Sequence, residues 1–393
     1  MEKLLKLRGF YLFLGLAGGS FGSYLTLLLK SNGLDVSQIG ILMAVGMSIA
    51  ICIQPVWGLI SDRYNQARLV LILSVAVPAV LAVFYRSEYF IVLLLVYTVS
   101  TIFSSTQAPI ADSYAIAAAN RAGSSYGSIR LMMSIGAAVG AYAGGLYVSN
   151  FSVSTIWLPF LLLNSIAVVI ALTLPKQAEE NHMMSQSFSQ GIKTLLGNRI
   201  FLAFLGGCFL VNQTMAAFGT YFVVAFQSVG GSSSTAGIAL FIASVTNVPS
   251  MLYASKVIRR IGRERTLLLG ALIYVLRWGI QVAFPYPSVM IGVQVLHGLS
   301  FGLFYIAAVE YVSQITSSEM QATGQSVFNI VFSGLAGILG NLLNGMLLEE
   351  GGVGLMNLSC MVSSAVGAVL LIYVARSSRA KMPKPVSSEG IGV

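Results

Sequence analysis

Pro175-Lys-Gln-Ala-Glu-Glu-Asn-His-Met-Met-Ser-Gln-Ser-Phe-Ser-Gln-Gly-Ile-Lys-Thr-Leu-Leu-Gly-Asn198 is the one long polar stretch in an otherwise apolar chain of 393 residues. On either side of it, apolar runs recur at about the 20-residue length that a helix needs to cross a bilayer core. Before it they fall near 9–30, 37–60, 68–86, 89–118, 125–149 and 154–174; after it near 200–227, 235–256, 265–284, 287–315, 321–348 and 353–375. The expected fold is therefore an all-α integral membrane protein of twelve transmembrane helices, arranged as two six-helix pseudo-repeated bundles. Its divisions are a first bundle over 1–174, a central cytoplasmic loop over 175–198, a second bundle over 199–376 and a cytoplasmic tail over 377–393.

Composition excludes the main alternatives. Apolar residues make up 56% of the chain and charged ones 9%, with a mean hydropathy of +0.83, whereas a soluble domain carries about a quarter charged residues. The net charge of +9 does not read as a nucleic-acid footprint, because the basic residues lie between apolar runs and form no continuous face. Cys52, Cys208 and Cys360 stand inside apolar runs with no paired spacing, so they read as small buried hydrophobes rather than as a disulfide or metal framework. Neither metal nor cofactor is expected.

The basic residues instead report topology. With both termini in the cytoplasm, 18 of the 22 Lys and Arg fall on cytoplasmic segments; Lys30 and Arg86 lie outside, and Arg130 and Arg277 lie within spans. That asymmetry follows the positive-inside rule and places the chain in a cell inner or cytoplasmic membrane.

The halves echo each other at an offset of about 197 residues. Gln54-Pro-Val-Trp-Gly-Leu-Ile-Ser-Asp-Arg63 followed by Arg68 has a degenerate counterpart from Pro249 to Arg260 and Arg265, and Asp112 falls within one position of the counterpart of Glu310. Parallel six-helix repeats about a central cavity are a common plan of secondary transporters. Glycines at Gly136, Gly140 and Gly144, and at Gly337 and Gly340, have the spacing that lets membrane helices approach closely.

Ionisable side chains inside a span cost at least a few kcal/mol and face a partner or a watery cavity. The candidates are Asp112, Arg130, Arg277, His297 and Glu310. Asp112 and Arg130 flank the turn around Arg121 symmetrically, so they share a depth on antiparallel neighbours and can pair as a salt bridge. Arg277 and His297 do the same about the Pro285-Tyr-Pro287 turn. For His297 a satisfied buried hydrogen-bonding role and a proton relay stay open, and Glu310 lies near enough to a helix end to reach interfacial water. Nucleotide-binding loops, zinc-protease pairs and nucleophile elbows are missing, so the chain is not read as an enzyme and uphill transport would draw on an ion gradient.

Gly58-Leu-Ile-Ser-Asp62-Arg63 with Arg68 beyond it resembles the major facilitator signature after the second span. The resemblance implies a gate motif in which Gly58 permits close helix contact while Asp62, Arg63 and Arg68 latch the cytoplasmic side. Pro109-Ile-Ala-Asp112, Tyr126-Gly-Ser-Ile-Arg130, Arg277-Trp-Gly and Gln294-Val-Leu-His297 resemble the lactose permease and phenylpropionate permease branch of that superfamily. By that resemblance Asp112 and Arg130 match a substrate-binding pair, and Arg277 and His297 match part of a proton-coupling network. Two carboxylates of that network are replaced here by Ser244 and Ser300, and Ala137 stands in place of a sugar-stacking tryptophan. The resemblance thus implies a monomeric, proton-coupled permease for a small organic solute whose coupling chemistry differs from that of lactose permease. A sugar or drug efflux transporter of the same fold, and a non-transporting membrane receptor or interaction protein, are the alternative readings.

Overall fold

The computed structural model describes residues 2–64, 66–121, 125–174, 195–316 and 320–380. Among these, eleven helical runs are long and apolar enough to cross a membrane. They are α1 (Leu4–Ser31), α2 (Val36–Trp57), α3 (Ala67–Arg86), α4 (Phe90–Ala119), α5 (Tyr126–Asn150), α6 (Val153–Leu172), α7 (Arg199–Gly219), α8 (Ser233–Ile261), α9 (Arg263–Ala283), α10 (Pro287–Ile315) and a run Thr323–Ser377. The last run contains two spans. At Gly352 the backbone leaves helical geometry with φ of 63°, a left-handed conformation that glycine adopts without Cβ strain, and the chain doubles back. We call the parts before and after Gly352 α11 and α12, which brings the spans to twelve.

The pseudo-repeat is visible in where helices break. α1 interrupts after Gly22 and resumes as a short helix, Leu25–Ser31; α7 interrupts and resumes as Phe222–Ser228. Both bounds of the second segment are those of the first moved by 197 residues. The turns that follow use Gly33 (φ 91°) and Gly230 (φ 92°), again 197 apart.

Within the first six spans α1 packs on α5 and α6, and α3 and α4 pack on each other and on their neighbours. Within the second six α8, α9 and α10 pack together and α7 and α9 pack on the α11–α12 pair. Lipid tails are as apolar as leucine, so close packing rather than hydrophobic exclusion holds such helices together. The α1–α5 crossing shows how: a Cβ on Gly136 or Gly140 would collide with the backbone of Leu12 and Leu16, so the small residues bring the two backbones into contact. Apolar side chains such as Leu95, Leu162, Val169, Leu252 and Val369 point outward, the surface a bilayer-spanning protein presents to lipid.

The two halves meet along two seams, α5 against α8 and α2 against α11. The Val36 N–H donates to Glu349 Oε2 at 2.8 Å, and Tyr142 meets Phe241 with ring centroids 6.2 Å apart. These contacts lie toward the end of the bundle that carries Asp35 and Glu349, hereafter the distal end; the opposite, terminal end carries residues 64–67 and 261–263. Of the expected divisions, most of the loop 175–198 and most of the tail 377–393 lie outside the described residues, although the last helix runs on to Ala380.

Candidate functional site

The expected charged pairs resolve into two separate clusters, one inside each half. In the first, α1, α4 and α5 bring together Tyr11, Asp112 and Arg130. The Tyr11 hydroxyl donates to Asp112 Oδ1 at 2.5 Å, and the Arg130 guanidinium carbon lies 5.9 Å from the Tyr11 ring centroid. Asp112 and Arg130 both approach Tyr11 but form no ion pair, because Tyr11 stands between them. Arg130 Nη1 is directed instead at Met133 Sδ, 2.6 Å away, and Tyr126 approaches the Asp112 carboxylate from α5. Tyr11 is buried. It is the residue that sequence spacing missed: a tyrosine among the aromatics of a first span carries no signal of its facing.

The second cluster lies among α7, α9, α10 and α12. Arg277 is 0% exposed, and its Nη2 reaches Gln294 Oε1 at 3.5 Å, the limit of a hydrogen bond. Its Nε and Nη1 have no acceptor. The guanidinium is instead flanked by aromatic faces, its carbon 4.5 Å from the Trp278 ring centroid and 5.0 Å from that of Phe218. Each desolvated cation–π contact supplies about 2 kcal/mol, against at least about 2.5–3.5 kcal/mol for an arginine at mid-membrane. His297 lies over the other part of Phe218, with ring centroids 3.8 Å apart, and its Nδ1 has no partner. Arg277 and His297 are thus brought to one aromatic ring, Phe218, a residue that no motif singled out.

Ser244 and Ser300 bond their own helices, to the Leu240 and His297 carbonyls at 2.9 and 3.0 Å. Neither supplies a counter-charge.

Glu310 is not part of either cluster. Its carboxylate lies 3.5 Å from Arg263 Nε at the terminal end of α10 and 3.5 Å from Ser255 Oγ, and it is about one-third exposed. Its nearness to the helix end decides its role, since a partly hydrated carboxylate there finds the basic start of α9. Of the gate residues, Arg68 donates to the Leu174 carbonyl at 3.1 Å and so ties α3 to the end of α6. The side chains of Gly58, Asp62 and Arg63 lie outside the described residues. Among the cysteines Cys208 and Cys360 are buried, whereas Cys52 is exposed on α2.

The seams between the halves carry a further arrangement. Tyr24 donates its hydroxyl to the Ala141 carbonyl at 2.9 Å and lies 3.4 Å from that of Ser233, where Gly145 of α5 crosses Gly237 of α8. Tyr221, 197 residues later, donates to the Asn341 carbonyl at 2.7 Å, where Gly40 of α2 meets Asn341 of α11 and Gly345 of α11 meets the Val36 backbone. Gly40 and Gly237 are also 197 apart. In α11 the helix widens to a π turn at Ile330–Leu335, and Asn212 of α7 donates to the Phe332 carbonyl within it at 2.6 Å. Such widened turns cluster at functional positions of helices.

Comparison with known proteins supplies the context. Residues 4–357 match the model of the MFS_1 like family. The maltose permease of Geobacillus stearothermophilus is 28% identical over 94% of this chain and 94% of its own. The probable 3-phenylpropionic acid transporter of Escherichia coli strain K12 is 25% identical over 88% of this chain and 91% of its own. Among solved structures the nucleoside transporter NupG superposes with a TM-score of 0.79 at 18% identity, covering 98% of this chain and all of that one.

Proposed function

This chain belongs to the MFS_1 like family and is a multi-pass membrane transporter of small solutes, not an enzyme; we propose that it is a proton-linked permease for a small organic solute. It works as a monomer by alternating access in the cytoplasmic membrane, with both termini in the cytoplasm as the distribution of basic residues requires. The units that rock are residues 1–174 and 199–376, joined by the loop over 175–198.

The observation that carries the reading is the set of seam contacts at the distal end, which along α2 and α11 continue to Met47–Gly337 and Ile51–Gly334. The Val36–Glu349 bond, the approach of the Tyr24 hydroxyl to the Ser233 carbonyl and the meeting of Gly40 with the Asn341 backbone close that end, so in the topology given by the basic residues the structure corresponds to a state closed outside. Glycine crossings accompanied by single hydrogen bonds such as Val36–Glu349 are contacts two rigid bundles can break and remake; each bond between the halves contributes about 1 kcal/mol. Asp112, held by Tyr11 inside the first bundle, is the proton-carrying candidate, because Glu310 is engaged by Arg263 and Ser244 and Ser300 offer no carboxylate. Arg130 and the second cluster of Arg277 and His297 serve substrate binding and coupling.

The test is reconstitution into liposomes with an imposed pH gradient, offering maltose, 3-phenylpropionate and uridine in turn. Solute-dependent proton flux supports the reading. Solute uptake that ignores the gradient would remove the coupling, and the absence of any uptake across a wider solute panel would remove the permease reading itself.

A further inference from the structure

Arg277 is a buried cation with no anionic partner among the described residues. Two of its three guanidinium nitrogens have no acceptor, and the titratable groups that face it are Tyr274, Cys360 and His297, none of them acidic. The described spans of the second half offer nothing better: Glu264, Glu349 and Glu350 lie at helix ends, and Glu310 is paired with Arg263. Cys360 of α12 lies beside the guanidinium and spends its thiol on Asn344 Oδ1, 3.1 Å away.

The unmet polar groups are concentrated around this arginine's helices. Trp278 Nε1, His297 Nδ1, both side-chain polar atoms of Asn357 and Ser364 Oγ are buried without partners, on α9, α10 and α12. Buried polar atoms are normally satisfied, and each exception calls for a ligand, a water or a function. Here the exceptions include the Arg277 Nε and Nη1 donors and the indole N–H of Trp278, whose ring lies against the guanidinium, and unmet donors at a positive charge are the complement of an anion.

We propose that Arg277 is an anion site whose counter-charge arrives with the ligand: a carboxylate on the transported solute, or a small inorganic anion carried with it. The inference rests on the permease reading for its consequence, that the carried species includes a negative charge. Phe218 and Trp278, against the guanidinium, supply apolar faces suited to the hydrocarbon part of an organic acid.

The test is binding to the purified full-length protein in lipid nanodiscs, without any gradient, followed by thermal stabilisation and by tryptophan fluorescence, since Trp278 borders the site. The probes are 3-phenylpropionate, its neutral amide 3-phenylpropanamide, and chloride at constant ionic strength. We expect the carboxylate to bind at least about tenfold more tightly than the amide, the margin of one lost charge-assisted contact. Arg277→Gln should abolish the difference, and Arg277→Lys should keep part of it. Cys360→Asp guards against a variant that merely unfolds: it places a carboxylate beside the guanidinium, so the protein should stay folded while its response to added anion disappears. Saturable chloride binding that requires Arg277, with the carboxylate silent, also supports the anion site and assigns it to an inorganic co-ion. Equal binding of acid and amide, carboxylate binding unchanged in Arg277→Gln, or no binding of either anion overturns the proposal. Because no transport is measured, uptake of a neutral solute with silent anion binding defeats this inference alone, whereas anion binding by a protein that moves nothing defeats the permease reading alone.

Discussion

Tyr24 and Tyr221 occupy equivalent positions in the two halves, 197 residues apart, and each donates its buried hydroxyl to a backbone carbonyl at the seam where the halves cross. One stands at α5–α8 and the other at α2–α11, so a pair of pseudo-symmetric pins fixes, each within its own half, the helices that form the closed distal end, and Tyr24 also reaches across to the Ser233 carbonyl at 3.4 Å. Removing the Tyr24 hydroxyl, which reaches the other half, should cost up to about 1 kcal/mol and shift the balance toward the distally open state by up to about fivefold. Tyr221→Phe, whose lost bond lies inside the second half, should leave that balance close to that of the unaltered protein. The accessibility of a cysteine introduced at Ser233, buried at the distal seam, to a membrane-impermeant thiol reagent, in a background lacking the native cysteines, checks this.

The glycine crossings beneath those pins leave no room for side chains. A Cβ at Gly40 would strike the Asn341 carbonyl, and one at Gly145 would strike that of Ser233. Gly40→Val or Gly145→Val should hold the distal seam open and reduce turnover at least about tenfold, the consequence of raising one state by more than 1.4 kcal/mol. Initial uptake rates in liposomes measure the loss, with Gly18→Val as a control since a Cβ there meets nothing within 4 Å.

Asp112 is the carboxylate left to carry protons. Asp112→Asn should abolish solute-driven proton flux while sparing solute exchange across a liposome without a gradient, because an amide can still accept the Tyr11 hydrogen bond. Intact proton flux in that variant would count decisively against its role.

Glu310 makes the contrasting case. Its pair with Arg263 is partly exposed, and exposed pairs contribute about 0–1 kcal/mol. Glu310→Gln should leave both proton coupling and thermal stability close to those of the unaltered protein, as read by the same flux assay and a melting curve.

The legibility of these features in the sequence follows the physics of each. Span positions were readable because a bilayer demands about 20 apolar residues and tolerates few charges, so the polar segment from Pro175 to Asn198 had to separate the halves. Neighbourhood was readable too: symmetric spacing about a turn associates Asp112 with Arg130 and Arg277 with His297, and each pair meets at one aromatic ring, Tyr11 or Phe218. Facing was not. Successive residues on a helix are about 100° apart, so an uncertainty of one position turns Asp112 from Arg130 to Tyr11, and no spacing rule announces that an aromatic ring will come between them. The same uncertainty hid Phe218, which joins Arg277 to His297, and left the two clusters to be found inside separate halves rather than facing each other. The breaks before Leu25 and Phe222 lie inside unbroken apolar runs, where helix and kink share one composition.

Reciprocal movement of the two ends tests the central claim most directly. With spin labels at Ser31 and Ser228 on the distal end, and in a second variant at Gln66 and Arg259 on the terminal end, distances are measured with and without a transported solute. The account predicts that as the distal distribution lengthens the terminal one shortens, in one two-state exchange. Distances that change together, or a distal end that stays closed whatever the solute, would contradict it.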